Sequence, residues 1–166
     1  WHSGFIIGSL LLLGGNGGVV YAEQYVSSGL TALLISTVPI WMVIFSIFTG
    51  PKVKPRKPVV FGVIAGFAGL LYLVYYTTGI SADSINPYGV AALIFATISW
   101  AYGSVINGSM DFPQKKLTTV ALQMLGGGTS LLVFSVITGD IFRFNPDAVS
   151  GKSLLALLYL ITFGSI

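Results

Sequence analysis

Cysteine is absent from this sequence, and histidine occurs only once, at His2. Without cysteine the chain can form neither a disulfide nor a thiolate metal site. A single histidine argues against histidine metal clusters and against a histidine-based catalytic triad within the chain. We therefore expect no metal site, no cofactor and no catalytic residue.

Charged residues are also scarce, at 8% of the 166 residues, whereas a soluble domain carries about 25%. Hydrophobic residues make up 54% of the chain. A soluble protein with so little charge could not cover its surface with polar groups. Most side chains are therefore expected to face lipid or other apolar helices.

The apolar residues fall into six runs, at 4–25, 30–48, 59–77, 88–107, 117–138 and 153–166. About 20 apolar residues are needed for a helix to cross a bilayer. Barrel strands are about ten residues long with strict alternation, which these runs lack. The pattern predicts an all-α, polytopic membrane helix bundle. Trp1 in place of methionine and the short last run predict an internal fragment of a longer chain.

Six of the eight basic residues lie in two alternate loops, 49–58 and 108–116: Lys52, Lys54, Arg56, Lys57, Lys115 and Lys116. The positive-inside rule places such loops in the cytoplasm, and this explains the basic pI without nucleic acid. A patch for lipid headgroups or regulation at 52–57 is the alternative. Three helices then precede the segment 77–87 and three follow it with opposite orientation, as in transporters with inverted repeats.

Polar residues within the first run point to a site, because such residues usually face the bundle interior. Asn16 and Glu23 are seven residues apart and would share one face of an α-helix. Glu23 is either hydrated at the membrane surface or lines a cavity, where it could couple protons. The glycines around Asn16 weaken the helix and predict bending or local unwinding (Gly14, Gly15, Gly17 and Gly18).

The fourth run carries a polar and aromatic stripe at helical spacing: Thr97, Trp100, Ser104 and Asn107. Trp100 lines a cavity or serves helix packing, and these alternatives stay open. Gln123 in the fifth run binds either a partner helix or a solute. Pro39 in the second run either kinks the helix or frees a carbonyl for a site.

Small residues at helical spacing predict close helix packing at Gly4 and Gly8, and again at Gly62, Gly66 and Gly69.

Several segments together resemble the EamA repeats of the drug/metabolite transporter superfamily. Those similar to the first repeat are Gly15-Asn16-Gly17, Ala22-Glu23, Ser28-Gly29 and Thr37-Val38-Pro39. Those similar to the second are Ser99-Trp100-Ala101-Tyr102-Gly103-Ser104-Val105, Gln123-Met124-Leu125 and Phe163-Gly164-Ser165-Ile166.

The resemblance implies ten helices in two inverted repeats of five, of which this chain holds the third to the start of the eighth. Residues 1–77 would be the C-terminal part of the first repeat, and 88–166 the N-terminal part of the second. It also implies a cavity lined by Asn16, Glu23, Pro39 and Trp100. Ser104 and Gln123 are further cavity-lining candidates, because they are polar residues within apolar runs and not because of the resemblance.

The helix pattern predicts a secondary transporter that works by alternating access, and the resemblance implies a protein of the bacterial inner membrane that exports amino acids, metabolites or drugs. Its partners would be a small-molecule solute and the lipid bilayer, without nucleic acid, and a second copy could form a homodimer. The alternative is a non-transporting subunit or a small-lipid carrier. A membrane enzyme is disfavoured, because it would need clustered carboxylates or histidines within the helices.

Overall fold

A computed structural model gives the structure of residues 2–49, 57–78, 86–110, 116–143, 145 and 149–164. Five long helices run in chain order: α1 His2–Ala22, α2 Ser28–Thr49, α3 Lys57–Thr78, α4 Pro87–Ser109 and α5 Lys116–Thr138. Two shorter ones follow, α6 Asp140–Arg143 and α7 Gly151–Tyr159, which continues as a π-helical stretch over Leu160–Gly164. The described residues contain no strand, which confirms the all-α class.

Helices α1, α2, α4 and α5 are each long and apolar enough to cross a membrane. Their bounds lie within a few residues of the predicted runs. The predicted cytoplasmic loops, 49–58 and 108–116, lie largely outside the described residues, at 50–56 and 111–115.

Local sequence explains where several helices begin. Ser27 and Ser150 cap α2 and α7 by accepting hydrogen bonds from backbone N–H groups of the first turn. Asn86 does the same for α4, where Pro87 occupies the first turn and has no N–H to leave unpaired. After α5, Gly139 adopts a φ of +79°, a conformation that side chains disfavour. The chain therefore turns there into α6.

Helix α4 is the centre of a compact unit formed by residues 1–131. Helix α1 runs antiparallel to it, because Gly18 approaches Ala96 while Gly103 approaches Leu10. Near the first residues of α4, a small core is fully or almost fully buried: Ala22, Val26 and Leu93. Helix α2 runs parallel to α4, and the Phe45 and Tyr102 rings meet edge to face with centroids 5.4 Å apart.

Glycines let α1 and α5 approach to backbone contact. A Cβ at Gly8 would lie 2.8 Å from the Gln123 carbonyl carbon, and one at Gly126 would lie 2.7 Å from the Phe5 Cα. The close packing predicted for Gly4 and Gly8 is thereby confirmed, since Gly4 faces Leu122 at 3.3 Å. In contrast, no described atom lies within 4 Å of the Cβ positions of Gly62, Gly66 and Gly69 on α3.

One side-chain hydrogen bond also joins α1 to α5. The hydroxyl oxygens of Ser9 and Ser130 are 2.6 Å apart, so one donates to the other, and the hydroxyl that accepts donates its own proton to a carbonyl of its helix, Phe5 for Ser9 or Gly126 for Ser130. Because the start of α1 lies beside the start of α5 and the end of α4, these three helix ends share one side of the unit. That arrangement agrees with the layout predicted from the basic loops.

The Ser9–Ser130 bond should make a small, measurable contribution to stability. In a double-mutant cycle with Ser9→Ala and Ser130→Ala, we expect a coupling energy of about 0.6 kcal/mol, the average for such bonds between membrane helices. The measurement is the free energy of unfolding of the four proteins in detergent. Additive effects of the two substitutions would contradict a direct bond.

Two of the long helices are irregular near the middle of their length. In α1 the backbone is π-helical over Ser9–Gly17, which contains the glycines around Asn16. The expected weakening therefore takes the form of a wider helix, and the chain does not unwind. In α2 the helix is interrupted at Ser36–Thr37 between the segments Ser28–Ile35 and Val38–Thr49. Such irregularities are frequent at functional sites.

Residues 132–166 form a second compact unit, whose boundary with the first falls within α5. Within it, the Tyr159 and Phe163 rings stack at the end of α7 with centroids 5.3 Å apart. The predicted division into repeats at 1–77 and 88–166 stays a prediction.

Candidate functional site

The π-helical stretch of α1 packs directly against the middle of α4. A Cβ at Gly15 would lie 3.3–3.5 Å from three carbon atoms of the Trp100 side chain, and one at Gly14 would lie only 2.9 Å from the Ser99 Cβ. The Ser99 hydroxyl donates a 2.8 Å hydrogen bond to the carbonyl oxygen of Leu10, which lies within the π-helical stretch. Trp100 lies about 3 Å along the axis from the centre of α4. This contact is therefore near the middle of the membrane.

The polar stripe of α4 is turned toward the interior of the bundle. Thr97 is only 1% exposed and donates to the Ile94 carbonyl of its own helix. Trp100, Ser104 and Asn107 are half-buried. The three thus form one partly accessible face, which extends from mid-membrane toward the end of α4.

Gln123 joins this face from α5. Its side chain is 8% exposed, and its Nε2 donates a 2.6 Å hydrogen bond to Oδ1 of Asn107. Of the two alternatives for Gln123, the structure gives it a partner helix, and its amide keeps further hydrogen-bonding capacity.

Asn16 and Glu23 lie apart from this face, and both are exposed. Glu23 follows the last residue of α1 as its C-cap, so the carboxylate is in a turn outside the helix. A helix bonded from i to i+5 rotates less per residue than an α-helix. A count of 3.6 residues per turn therefore assigns residues before and after the π-helical stretch to the wrong relative faces of α1.

The position of Glu23 leads to a prediction about pH. Because its side chain is exposed beyond the helix, Glu23→Gln should change the free energy of unfolding by less than about 0.5 kcal/mol. We also expect the variant to keep any pH dependence of solute flux, measured in liposomes between pH 5 and 8. Loss of that dependence would instead show that the Glu23 carboxylate carries a coupled proton.

Pro39 is exposed and borders a different feature, an apolar groove between α2 and α3 with a volume of about 620 Å³. Lacking an N–H, Pro39 cannot bond the Ile35 carbonyl, and the Ile40 N–H bonds Thr37 in place of Ser36. The helix is interrupted two to three residues before the proline, at Ser36–Thr37. The groove is lined by aliphatic and aromatic residues, and the hydroxyls of Tyr72 and Tyr75 are the polar side-chain groups among its described lining.

Sequence reasoning missed the role of Ser99. Its acceptor is a backbone carbonyl 89 residues away, and no local pattern marks such a pairing. The residues that the structure brings together are Gly14 with Ser99, Gly15 with Trp100, and, further along, Asn107 with Gln123, whereas Ser104 shares only the α4 face. Among the described residues, no group of three or more acidic or histidine side chains could hold a metal ion.

The chain is similar to two bacterial membrane proteins. Over 162 residues, 97% of its length, it is 38% identical to the Escherichia coli (strain K12) protein described as the uncharacterized inner membrane transporter YedA. Over 136 residues, 80% of its length, it is 31% identical to the uncharacterized transporter YoaV of Bacillus subtilis (strain 168). These matches cover 50% and 45% of the relatives, so the chain spans about half their length.

No protein-family profile matches the chain, and no solved structure matches it. The names of the relatives and the four helices that can span a membrane nevertheless both indicate a membrane protein. This chain is a multi-pass protein of the inner membrane, and its relatives support a transporter family.

Proposed function

We propose that this chain forms part of the translocation pathway of a secondary transporter of small organic solutes. The observation that carries the proposal is the contact between the π-helical stretch of α1 and Trp100 at mid-membrane depth. Irregular helices near the midplane are typical of solute sites in secondary transporters. The similarity to two transporter-named proteins supports the same class.

In this proposal the chain has two inverted EamA-type repeats that rock about a central site, and it exports amino acids, metabolites or drugs. Trp100 and Ser104 would contact the solute at mid-depth, where closure of the helices excludes water. Gln123 would lie nearer the basic loops. Asn16 and Glu23 are exposed in the described chain, so their contact with solute would require further segments of a longer protein or a second copy of this chain.

The test uses the protein encoded by the complete reading frame, purified and reconstituted in liposomes. We expect flux of at least one labelled amino acid or cationic dye well above that of empty liposomes. Flux equal to the empty control across the whole panel would reject transport and favour a non-transporting subunit.

A small-lipid carrier is the second candidate, and the groove between α2 and α3 is the observation that favours it. Its lining is apolar and large enough for acyl chains: Ile40, Val43, Ile44, Val63, Ile64, Phe67, Leu71 and Tyr75 are among the residues. Transfer of a fluorescent phospholipid between the leaflets of the same liposomes separates the two candidates. Lipid transfer without solute flux would favour the carrier.

A further inference from the structure

A buried hydroxyl near the start of α5, beside the end of α4, has no hydrogen-bond partner among the described residues. The Thr119 side chain is 8% exposed, and nothing in the described chain bonds its Oγ1. Buried threonines within helices commonly bond a carbonyl one turn back, as Thr31 does with the Ser27 carbonyl at 3.1 Å. An unpaired buried hydroxyl is unfavourable. The equivalent carbonyl for Thr119 belongs to Lys115, which lies outside the described residues, so no described group satisfies this hydroxyl.

The buried polar residues beside Thr119 are uncharged, and the charged Lys116, one turn earlier on α5, is exposed. Gln123 lies four residues later on the same face of α5 and is also 8% exposed. It is hydrogen-bonded to Asn107, which lies two residues before the end of α4. Helix α1 closes the third side, because Gly8 brings its backbone onto the Gln123 carbonyl group. Three helices thus surround one small polar cluster.

The hydrogen-bonding capacity of this cluster defines its ligand. A carboxamide has two N–H donors and a carbonyl that accepts, so the Gln123–Asn107 bond uses only part of the capacity of each residue. Thr119 adds one donor and an acceptor. All three side chains are neutral, and the nearest charged residue on α5, Lys116, is exposed one turn before Thr119, so none of the three would neutralise a charged group. The group that best complements this cluster is therefore uncharged and can both donate and accept hydrogen bonds.

We propose that Thr119, Gln123 and Asn107 form a hydrogen-bonding subsite for a hydroxyl or carboxamide group of the solute. The subsite rests on the proposed transport function and specifies the class of solute. It lies within about two turns of the ends of α4 and α5 that join the loop 110–115. Solute would therefore reach it from the side of the basic loops.

The test compares amino acids that differ by one neutral polar group. In liposomes containing the complete protein, we expect L-threonine to be preferred over L-valine, or L-asparagine over L-leucine. Thr119→Val keeps the shape of the side chain and removes the hydroxyl. It should lower that preference about tenfold, the size expected for one hydrogen bond to a polar solute.

Thr31→Val is the matched control, since Thr31 is also buried, at 2% exposed, but its hydroxyl is already bonded to the Ser27 carbonyl. It should leave the preference unchanged. Without solute, Thr119→Val should have an unfolding temperature in detergent that is unchanged or higher, because no partner loses a bond. The polar solute should stabilise the parent protein more than it stabilises this variant.

Three results would overturn the subsite. The first is a parent protein that does not prefer the polar member of either pair. The second is a Thr119→Val variant that still prefers the polar amino acid of the pair as strongly as the parent does, which would mean that the hydroxyl binds water and not the solute. The third is flux of a cationic dye without flux of any of the four amino acids, which leaves transport itself intact. Absence of all flux, dye included, would reject the proposed function as well.

Discussion

Gly8→Ala is expected to disrupt the packing of α1 on α5 and to lower the free energy of unfolding by about 1–3 kcal/mol, the usual cost of overpacking. The added methyl group would lie 2.8 Å from the carbonyl carbon and 2.9 Å from the Cα of Gln123. Because both atoms belong to the backbone of a helix, they cannot move aside as a flexible side chain would. Either the two helices separate or α1 shifts along α5.

The measurement is the unfolding temperature of the purified protein in detergent, together with the yield of monodisperse protein. Gly66→Ala on α3 is the matched control, since no described atom lies within 4 Å of its Cβ position. It should be neutral or slightly stabilising, because alanine favours helix over glycine. Equal destabilisation by the two substitutions would contradict the α1–α5 contact.

Trp100→Ala is expected to lower solute flux about tenfold or more, which corresponds to about 1.4 kcal/mol of lost interaction. The indole lies over Gly15 at mid-membrane depth and is half-buried, so part of it is accessible to a solute. The yield of folded protein should fall much less than the flux. A loss of yield equal to the loss of flux would assign the indole to packing.

The control for this substitution is Trp41→Ala on α2. Trp41 is also half-buried, and it contacts Phe45 of its own helix, with ring centroids 6.5 Å apart. Its removal should reduce stability with little change in the flux per folded molecule. A similar loss of flux in both variants would mean that the effect is not specific to the α1–α4 contact.

The positions of the helices could be predicted from the sequence, because lipid forces the backbone to satisfy its own hydrogen bonds over a fixed thickness. Hydrophobic run length is therefore a strong signal, and Ser27, Asn86 and Ser150 act as local caps where runs begin. The close approach at Gly4 and Gly8 could also be predicted, because only small residues permit it. The same spacing at Gly62 and Gly66 has no partner in the described chain.

The site was less predictable, because its contacts depend on which helices become neighbours. The stripe from Trp100 to Asn107 could be found from its periodicity. Its pairing with Gln123 could not be found in this way, since periodicity does not identify the helix opposite. Glu23 was expected in a helix face shared with Asn16, but the helix ends one residue earlier and its preceding turns are wider than α-helical. The predicted shared face of Asn16 and Glu23 is therefore lost because of the backbone conformation of α1, and not because of either side chain.

The interruption at Ser36–Thr37 divides α2 into two helical segments, Ser28–Ile35 and Val38–Thr49. The Ser36 hydroxyl bonds the Leu33 carbonyl at 2.6 Å and the Thr37 hydroxyl bonds the Leu34 carbonyl at 2.6 Å, so each polar side chain is satisfied within its own turn. The interruption therefore leaves neither hydroxyl as an unpaired donor facing the acyl chains, and α2 needs no neighbouring helix to satisfy these two side chains.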